Sequence, residues 1–376
     1  MIFVAETKDG ETVTFKDGKR FLWIISVLSP LITGLSAVAL LSGGSIIWAL
    51  VPVFFYYGAI PLLDLLFGED TNNPPEEVVE QLSQDNYYRV LLHLTIPLIY
   101  FSFLSTAVAV GTVDLPWWCI LTLILGAGAT GGGAINVSHE LGHKLNWVDR
   151  LGAKLASAVT GYAHFNIEHN QGHHLMVSTP EDIASSRFNE SVYRFAMREL
   201  PGAAKRGWNL EARRLKKKGF GTWTWRNELL QGYAITGAIA LVLIVLFGWI
   251  MIPFLIGHHF AGWMQLTYAN YVEHYGLKRE KKANGKYVPC EPKHSWNTNH
   301  IISNLFLFHL QRHSDHHANP LRPYQSLRNF DELPRLPSGY PGSFVLASIP
   351  PLWFSIMNPK VLEWAGGDMS KVNTGP

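Results

Sequence analysis

Three groups of histidines in this chain are spaced for joint chemistry: His139-Glu-Leu-Gly-His143, His169-Asn-Gln-Gly-His173-His174 and His313-Ser-Asp-His316-His317. Residues three or four apart share one face of an α-helix, so each group can aim two imidazoles at a common point. The neutral ring is the commonest protein ligand for a transition metal. His313, His316 and His317 fall on one face. His169 and His173 share another, with His174 turned by about 100° toward a second ion. A purely structural role for all three groups would need a separate hydrogen-bond partner for every buried ring, which is a poor account of them.

The first group also reads as His-Glu-x-x-His, in which two histidines hold zinc and Glu140 serves as the base of a protease. That assignment needs a further ligand and leaves the other two groups idle. Zinc normally takes four ligands, whereas eight clustered histidines match two ions of higher coordination. Nitrogen donors alone admit iron, zinc, copper or nickel. Two redox metals at a membrane face point to oxygen chemistry. His164 and His309, each four or five residues before a group, are candidates to support ligand rings. His274, in Asn-Tyr-Val-Glu-His-Tyr-Gly, reads on spacing alone as structural. His258 and His259 interrupt an apolar segment, where polar side chains are functional by default, and are read as tunnel or supporting groups. His93, His294 and His300 are read as structural or surface residues.

The elements that must position these groups are membrane helices. Of 376 residues, 48% are hydrophobic and 16% charged, against about 25% charged in soluble domains. A spanning helix needs about 20 apolar residues. Residues 21–67 are long enough to cross twice, and further spans are expected at 88–112, 116–138, 229–249 and 251–272. The stretch 343–357 is too short and contains Pro350-Pro351, so it is expected to lie at the interface or be buried. The expected fold is therefore an all-α integral membrane protein of six transmembrane helices with a helical cap carrying the histidines. Its divisions are a polar N-terminal segment (1–20), four helices (21–138), a cap region with the first two groups (139–228), two helices (229–272) and a C-terminal region (273–376).

Basic residues concentrate in 138–228 and 273–335, while the turns near 42–46, 112–115 and 249–251 have none. The positive-inside rule then places both termini and all three groups on the cytoplasmic side. Trp208, Trp223 and Trp225 beside the basic run suit the membrane interface. The run itself, with Arg213, Arg214, Lys216, Lys217 and Lys218, is read as topological or as a dock for an acidic partner. Nothing supports nucleic-acid binding. Cys119 and Cys290 lie far apart in sequence and form no thiolate motif. Small residues from Gly126 to Gly133 either let helices pack closely or leave room for a narrow ligand, and both readings stay open.

The motifs His-Glu-Leu-Gly-His-Lys (139–144), Glu-His-Asn-Gln-Gly-His-His (168–174), Asn-Tyr-Val-Glu-His-Tyr-Gly (270–276) and Leu-Gln-Arg-His-Ser-Asp-His-His-Ala (310–318) give the chain a specific resemblance. It resembles the membrane-bound alkane 1-monooxygenases, within the wider membrane di-iron family of fatty-acid desaturases and xylene monooxygenase. The resemblance covers nearly the whole chain. It implies two non-heme irons and nine histidine ligands: His139, His143, His169, His173, His174, His274, His313, His316 and His317. Glu140, Glu168, Glu273 and Asp315 would orient those rings and offset charge.

The implied activity is hydroxylation of medium-chain n-alkanes to primary alcohols with O₂ and two electrons, in the bacterial cytoplasmic membrane. A lipid desaturase with the same metals is the nearest alternative, and an intramembrane zinc protease or a metal transporter are more distant ones. An alkane has no polar handle, so the shape of a dry channel must select it, each buried CH₂ contributing about 0.8 kcal/mol. Trp48, Phe54, Phe55, Tyr56 and Tyr57 are candidates to close that channel. The chain has no Cys-x-x-Cys pair and no flavin or nicotinamide fingerprint, so electrons must come from a separate carrier. The resemblance names rubredoxin with its reductase.

Overall fold

The computed structural model describes residues Met1–Pro376. Helices dominate it, but the N-terminal segment departs from the all-α expectation. Ile2–Glu6 and Thr12–Lys16 pair as an antiparallel hairpin, with Ile2 opposite Lys16 and Glu6 opposite Thr12. The cause is local: Ile2-Phe3-Val4 is a β-favouring apolar run, Thr12–Lys16 alternates polar and apolar residues, and Gly10 takes the positive φ of 81° that the turn needs. The hairpin buries Phe3, and the Gln81 amide donates to the Val4 carbonyl at 2.8 Å.

Five helices are long and apolar enough to cross a membrane: Ile24–Leu41, Ile46–Phe67, Asn86–Thr112, Trp117–Gly142 and Glu228–Phe247. Asp85 and Asn227 start the third and fifth by accepting hydrogen bonds from the first-turn amides. Residues 251–272, expected as a sixth span, do form a helix, Met251–His274. It falls outside the strongly apolar set because His258, His259, Gln265, Asn270, Glu273 and His274 dilute it. Two of its polar side chains are partnered within the fold: Thr267 and Asn270 both donate to the Glu199 carboxylate.

Helices 117–142 and 251–274 pack so closely that a methyl group on Gly128 would lie 2.3 Å from the Ala261 β-carbon, and one on Gly132 2.4 Å from that of Gln265. Gly126 meets Pro52 in the same way, at 2.5 Å. Gly133 is different, since a methyl group there would touch nothing within 4 Å. The small-residue stretch therefore does both jobs, packing along most of its length and opening at one position.

Short connections join the helices at one end of the bundle, and the longer segments gather at the other. There the salt bridges Lys19–Asp70 and Arg20–Asp85 tie the N-terminal segment to the loop before helix 86–112. Helix Trp147–Ala158 and the long helix Val192–Lys217 build the cap. Residues 343–357 lie in two short helices, Tyr340–Ala347 and Pro350–Trp364. Trp353, Met357 and Val361 of the second are buried, and Trp353 packs against Tyr271 and Tyr275. This segment is a buried brace for helix 251–274.

Candidate metal centre

His139 lies in the last turn of helix 117–142, and His143 sits at its C-cap. The second group does not follow α-helical spacing. His169–His173 is a π-helical turn, and the His174 amide donates to the His169 carbonyl five residues back. A π-turn aligns i with i+5. His169 and His174 therefore face each other, their Nε2 atoms 3.0 Å apart, while His173 points elsewhere. This corrects the expectation that His169 would pair with His173. His313–Ala318 is α-helical and places His313 and His317 together, sending His316 to the other side.

The rings converge as two sets. His139, His143, His169, His174 and His316 offer nitrogens within 4.8 Å of one another, as do His173, His274, His313 and His317. In the first set the His316 Nε2 atom is 2.9 Å from that of His139 and 3.2 Å from that of His174. Four separate segments of the sequence supply these rings. His274, read from spacing as structural, closes the second set from the end of helix 251–274.

The donor set fits metal ions. Nε2 of His143, His173 and His274, and both ring nitrogens of His313 and His317, are buried without a hydrogen-bond partner. Buried polar atoms normally have one. Burial, with mutual repulsion between neighbouring rings, pushes His169, His174, His313, His316 and His317 well below the usual imidazole value. They are thus held neutral, the state in which a nitrogen lone pair can ligate. Two six-coordinate first-row ions would take about twelve donors, so nine imidazoles divided five and four would hold two ions with positions to spare.

The groups that orient the rings are partly those expected. Nδ1 of His173 donates to Asp182 Oδ2 at 2.9 Å. Asp182 also accepts from Ser185 at 2.7 Å and from Arg206 at 2.9 Å. Against the cost of burial, the His173 ring and Arg206 hold the Asp182 carboxyl well below the usual carboxylate range. Arg206 reaches Glu168 as well, donating from Nε at 2.7 Å, although burial keeps that carboxyl above its ordinary value. Nδ1 of His274 lies 3.4 Å from the His294 carbonyl and from Ser295 Oγ. Asp182, Arg206 and Ser295 were not singled out from the sequence, because no spacing rule connects them to the ligands they support.

Glu273 takes the Tyr340 hydroxyl at 2.7 Å and approaches His313 Nε2 at 3.1 Å, without hydrogen-bond geometry to the ring. Glu140 accepts from the Tyr324 amide at 3.3 Å and lies 3.4 Å from Lys144, with no hydrogen bond or ion pair to a histidine. Asp315 braces the following loop through the Arg328 amide at 2.9 Å and Asn319 at 2.8 Å. His164 bonds the Tyr233 hydroxyl, and His309 faces Lys19 and the Tyr324 carbonyl, so neither contacts a ligand ring.

A cavity leads from the rings into the bundle. Its inner part is lined by His139, His169, His313, Glu273 and Phe165. Ala129, Gly133, Asn136, Gln265, Leu307 and Phe344 continue it, and its far part is lined by Tyr56, Tyr57, Ile60, Ile99 and Thr130. Phe55 stands behind this wall, edge-on to Phe306 at 5.4 Å. Trp48 and Phe54 turn outward, 42% and 69% exposed. His258 packs against Phe103 and Phe254, with Nδ1 3.1 Å from that of His259, and neither ring lines the cavity.

Beyond the cavity, a wide groove opens to the outside over His143, His174 and His317, bordered by Lys144, Arg150 and Lys154. It continues past Arg214 and Lys218 through the shared residues Arg150, Lys154 and Glu228.

Residues 115–342 match the fatty acid desaturase family. The chain is 52% identical over 359 residues to an alkane 1-monooxygenase of Ectopseudomonas oleovorans, spanning 95% of this chain and 89% of that protein. It is 49% identical over 368 residues to alkane 1-monooxygenase 1 of Alcanivorax borkumensis, spanning 98% and 91%. A more distant likeness, 27% over 343 residues, is to the hydroxylase component of a xylene/toluene monooxygenase of Pseudomonas putida, spanning 90% and 88%.

Proposed function

This chain belongs to the alkane 1-monooxygenases of the fatty acid desaturase family, and from that we propose that it hydroxylates the terminal carbon of medium-chain n-alkanes at two non-heme irons, using O₂ and two electrons from rubredoxin. The observation that carries this reading is the two buried histidine sets at the inner end of a largely apolar cavity. His139, His143, His169, His174 and His316 would hold one iron, and His173, His274, His313 and His317 the other. When bound, the irons supply the reduction of O₂ and the oxidation of an unactivated C–H bond.

The protein's own part is placement. Phe165 and Leu310 line the cavity beside the rings and keep water from the reacting carbon. The remainder of the alkane lies along Gly133 and Leu307, and the wall formed by Tyr56 and Tyr57 limits its length. Glu273, facing the cavity and tied to Tyr340, is suited to hold a proton beside the second set. No side chain has to attack so inert a substrate.

Helix 251–274 would cross the bilayer as the sixth span, since its polar residues face the bundle or the cap. The positive-inside rule then puts both termini, the histidines and the basic groove on the cytoplasmic side of a bacterial inner membrane. Rubredoxin, reduced by its reductase, would dock on that face. Arg214 and Lys218 line the groove there, with Arg213, Lys216 and Lys217 beside them at the same helix end, and the groove leads from there to the partly buried rings of His143 and His174.

The deciding experiment supplies purified protein with octane, ¹⁸O₂, rubredoxin, its reductase and NADH, with metal analysis on the same sample. Near two irons per chain and ¹⁸O-labelled 1-octanol support the reading. An alkene product would point to desaturation, and a single zinc without oxygenated product would overturn the reading.

A further inference from the structure

We infer that His164, Tyr162 and Glu199 form a proton entry into the metal cavity, running from the cap surface at Tyr233 to the cavity wall at Asn270. The inference rests on the hydroxylase reading and adds what that reaction needs besides electrons. One atom of O₂ enters the new C–O bond as the C–H bond breaks. The other leaves as water, formed with two protons and two electrons from outside. The external reductant brings the electrons, while the protons have to pass a wall that includes Phe165, Leu266 and Leu310.

Glu199 is the acid placed to deliver them. It is 1% exposed, on helix 192–217, and its partners are neutral donors, Thr267 at 2.8 Å and Asn270 at 3.3 Å. The nearby cations are engaged elsewhere: Arg198 pairs with Glu190, and Arg206 with Glu168 and Asp182. Asn270 itself lines the cavity together with His139, His169 and His313. A buried carboxyl without a counter-ion favours its neutral form. Burial, reinforced by Glu168, accordingly brings Glu199 up to about 7. It holds a proton near neutral pH, one side chain behind the reacting space.

Toward the surface stand two buried polar atoms without a partner, the Tyr162 hydroxyl and His164 Nε2. Their rings are 4.2 Å apart, centre to centre. Tyr162 belongs to a small apolar cluster covered by Leu200 and Leu266, the chain neighbours of Glu199 and Thr267. Unpartnered buried polar atoms of this kind are where a water binds. On its other side, His164 Nδ1 lies 2.8 Å from the Tyr233 hydroxyl. Tyr233 is 37% exposed and about 7.5 Å along its helix from Glu228, which pairs with Arg150 at the charged surface. Burial keeps the His164 ring neutral, so it relays by accepting at one nitrogen as it gives from the other.

The test uses Glu199→Gln, Glu199→Asp, Tyr162→Phe and His164→Gln, read first on metal-free protein. The infrared difference between native protein and Glu199→Gln should contain one carboxylic-acid band that titrates away near pH 7. After transfer to D₂O, that band should shift about ten-fold more slowly in Tyr162→Phe and His164→Gln. In the iron-loaded enzyme with saturating rubredoxin, kcat for octane should fall about 100-fold in Glu199→Gln and about ten-fold in Tyr162→Phe, with KM unchanged. Glu199→Asp should recover part of the loss. Native kcat should decline as pH rises through about 7, and Glu199→Gln should flatten that decline. Tyr162→Phe removes an oxygen that bonds to no other group, so its iron content and melting temperature should stay native. It carries the test if Glu199→Gln does not fold.

Native kcat and pH profile in Glu199→Gln and Tyr162→Phe would overturn the inference, because the carboxyl would then only join two helices. So would native exchange rates in both Tyr162→Phe and His164→Gln, since the acid would then reach solvent by another path. Failure of the native protein to hydroxylate octane would instead strike the function proposed above and leave the infrared result standing.

Discussion

His173 and Asp182 form a fully buried hydrogen-bonded pair, ring Nδ1 to carboxylate at 2.9 Å, and the pair is anchored by Arg206, which simultaneously holds Glu168. Glu168 directly precedes His169. One guanidinium therefore braces a ligand of each histidine set. The pairing fixes the His173 tautomer so that Nε2 faces its three partners.

Replacing Asp182 with Asn keeps the shape but allows the amide to offer a donor to the ring nitrogen. The expected outcome is a drop of about 10- to 100-fold in metal affinity or activity. Metal analysis after dialysis against a graded chelator checks it. Retention like that of the native protein would show that His173 needs no orienting carboxylate.

Arg206→Met should act on the fold more than on ligation. It leaves Glu168 and Asp182 buried without their shared cation, a change that typically costs about 3–5 kcal/mol. Thermal unfolding in detergent should show a large loss. Partial rescue by the double variant with Glu168→Gln is expected, because that removes one of the stranded charges.

Gly133 and Gly128, five residues apart on one helix, should respond in opposite ways. Gly128→Ala brings a methyl group against Ala261 at 2.3 Å and should destabilise the helix pair by about 1–3 kcal/mol. Gly133→Leu meets open space, so unfolding should change little, while the filled cavity shifts the preferred alkane toward shorter chains. Melting temperature and product yield across an alkane series separate the two effects.

Much of the centre was legible because i, i+4 spacing is a property of sequence wherever the helix is regular. His139 with His143 and His313 with His317 met that condition. The second group did not, since a π-turn has no signature that distinguishes it from α-helix, and one residue of extra turn exchanged the partners of His173 and His174. Asp182, nine residues past His173, comes to the ring through a loop path that only the fold defines. His274 was marked as a ligand by its motif, not its spacing. The N-terminal hairpin was legible in principle, with a β-favouring apolar run before an Asp-Gly turn and polar-apolar alternation after it, but residues 1–20 were read only as a polar segment of an all-α plan.

Glu199 gives a pH dependence of known sign. Burial, reinforced by the nearby Glu168 carboxylate, raises its pKa from 4.5 to about 7, while Thr267, Asn270 and Arg198 act in the other direction. The folded state thus favours the protonated acid. Its contribution to stability is complete below pH 4.5 and is lost as pH rises through about 7. The loss is of order 3 kcal/mol. Melting temperature should fall between pH 5 and 8 in the native protein, and Glu199→Gln should flatten that profile. Identical profiles would assign the fall to other groups.

The basic face should govern electron supply without touching the metals. Lys216, Lys217 and Lys218 are exposed and take part in no ion pair, whereas Arg214 is engaged by Glu211 at 2.6 Å. The three lysines are thus free to attract an acidic carrier toward the groove over His143 and His174. Exposed charges of this kind act mainly on association rate and are screened by salt. Reversing all three to Glu should slow rubredoxin-driven turnover roughly ten-fold at low ionic strength and weaken its salt dependence. Metal content and turnover with a small neutral reductant should stay at native levels, because no lysine of the run approaches a histidine ligand. An equal loss with both reductants would mean that the substitutions disturb the cap, and no loss with either would place the carrier elsewhere on this face.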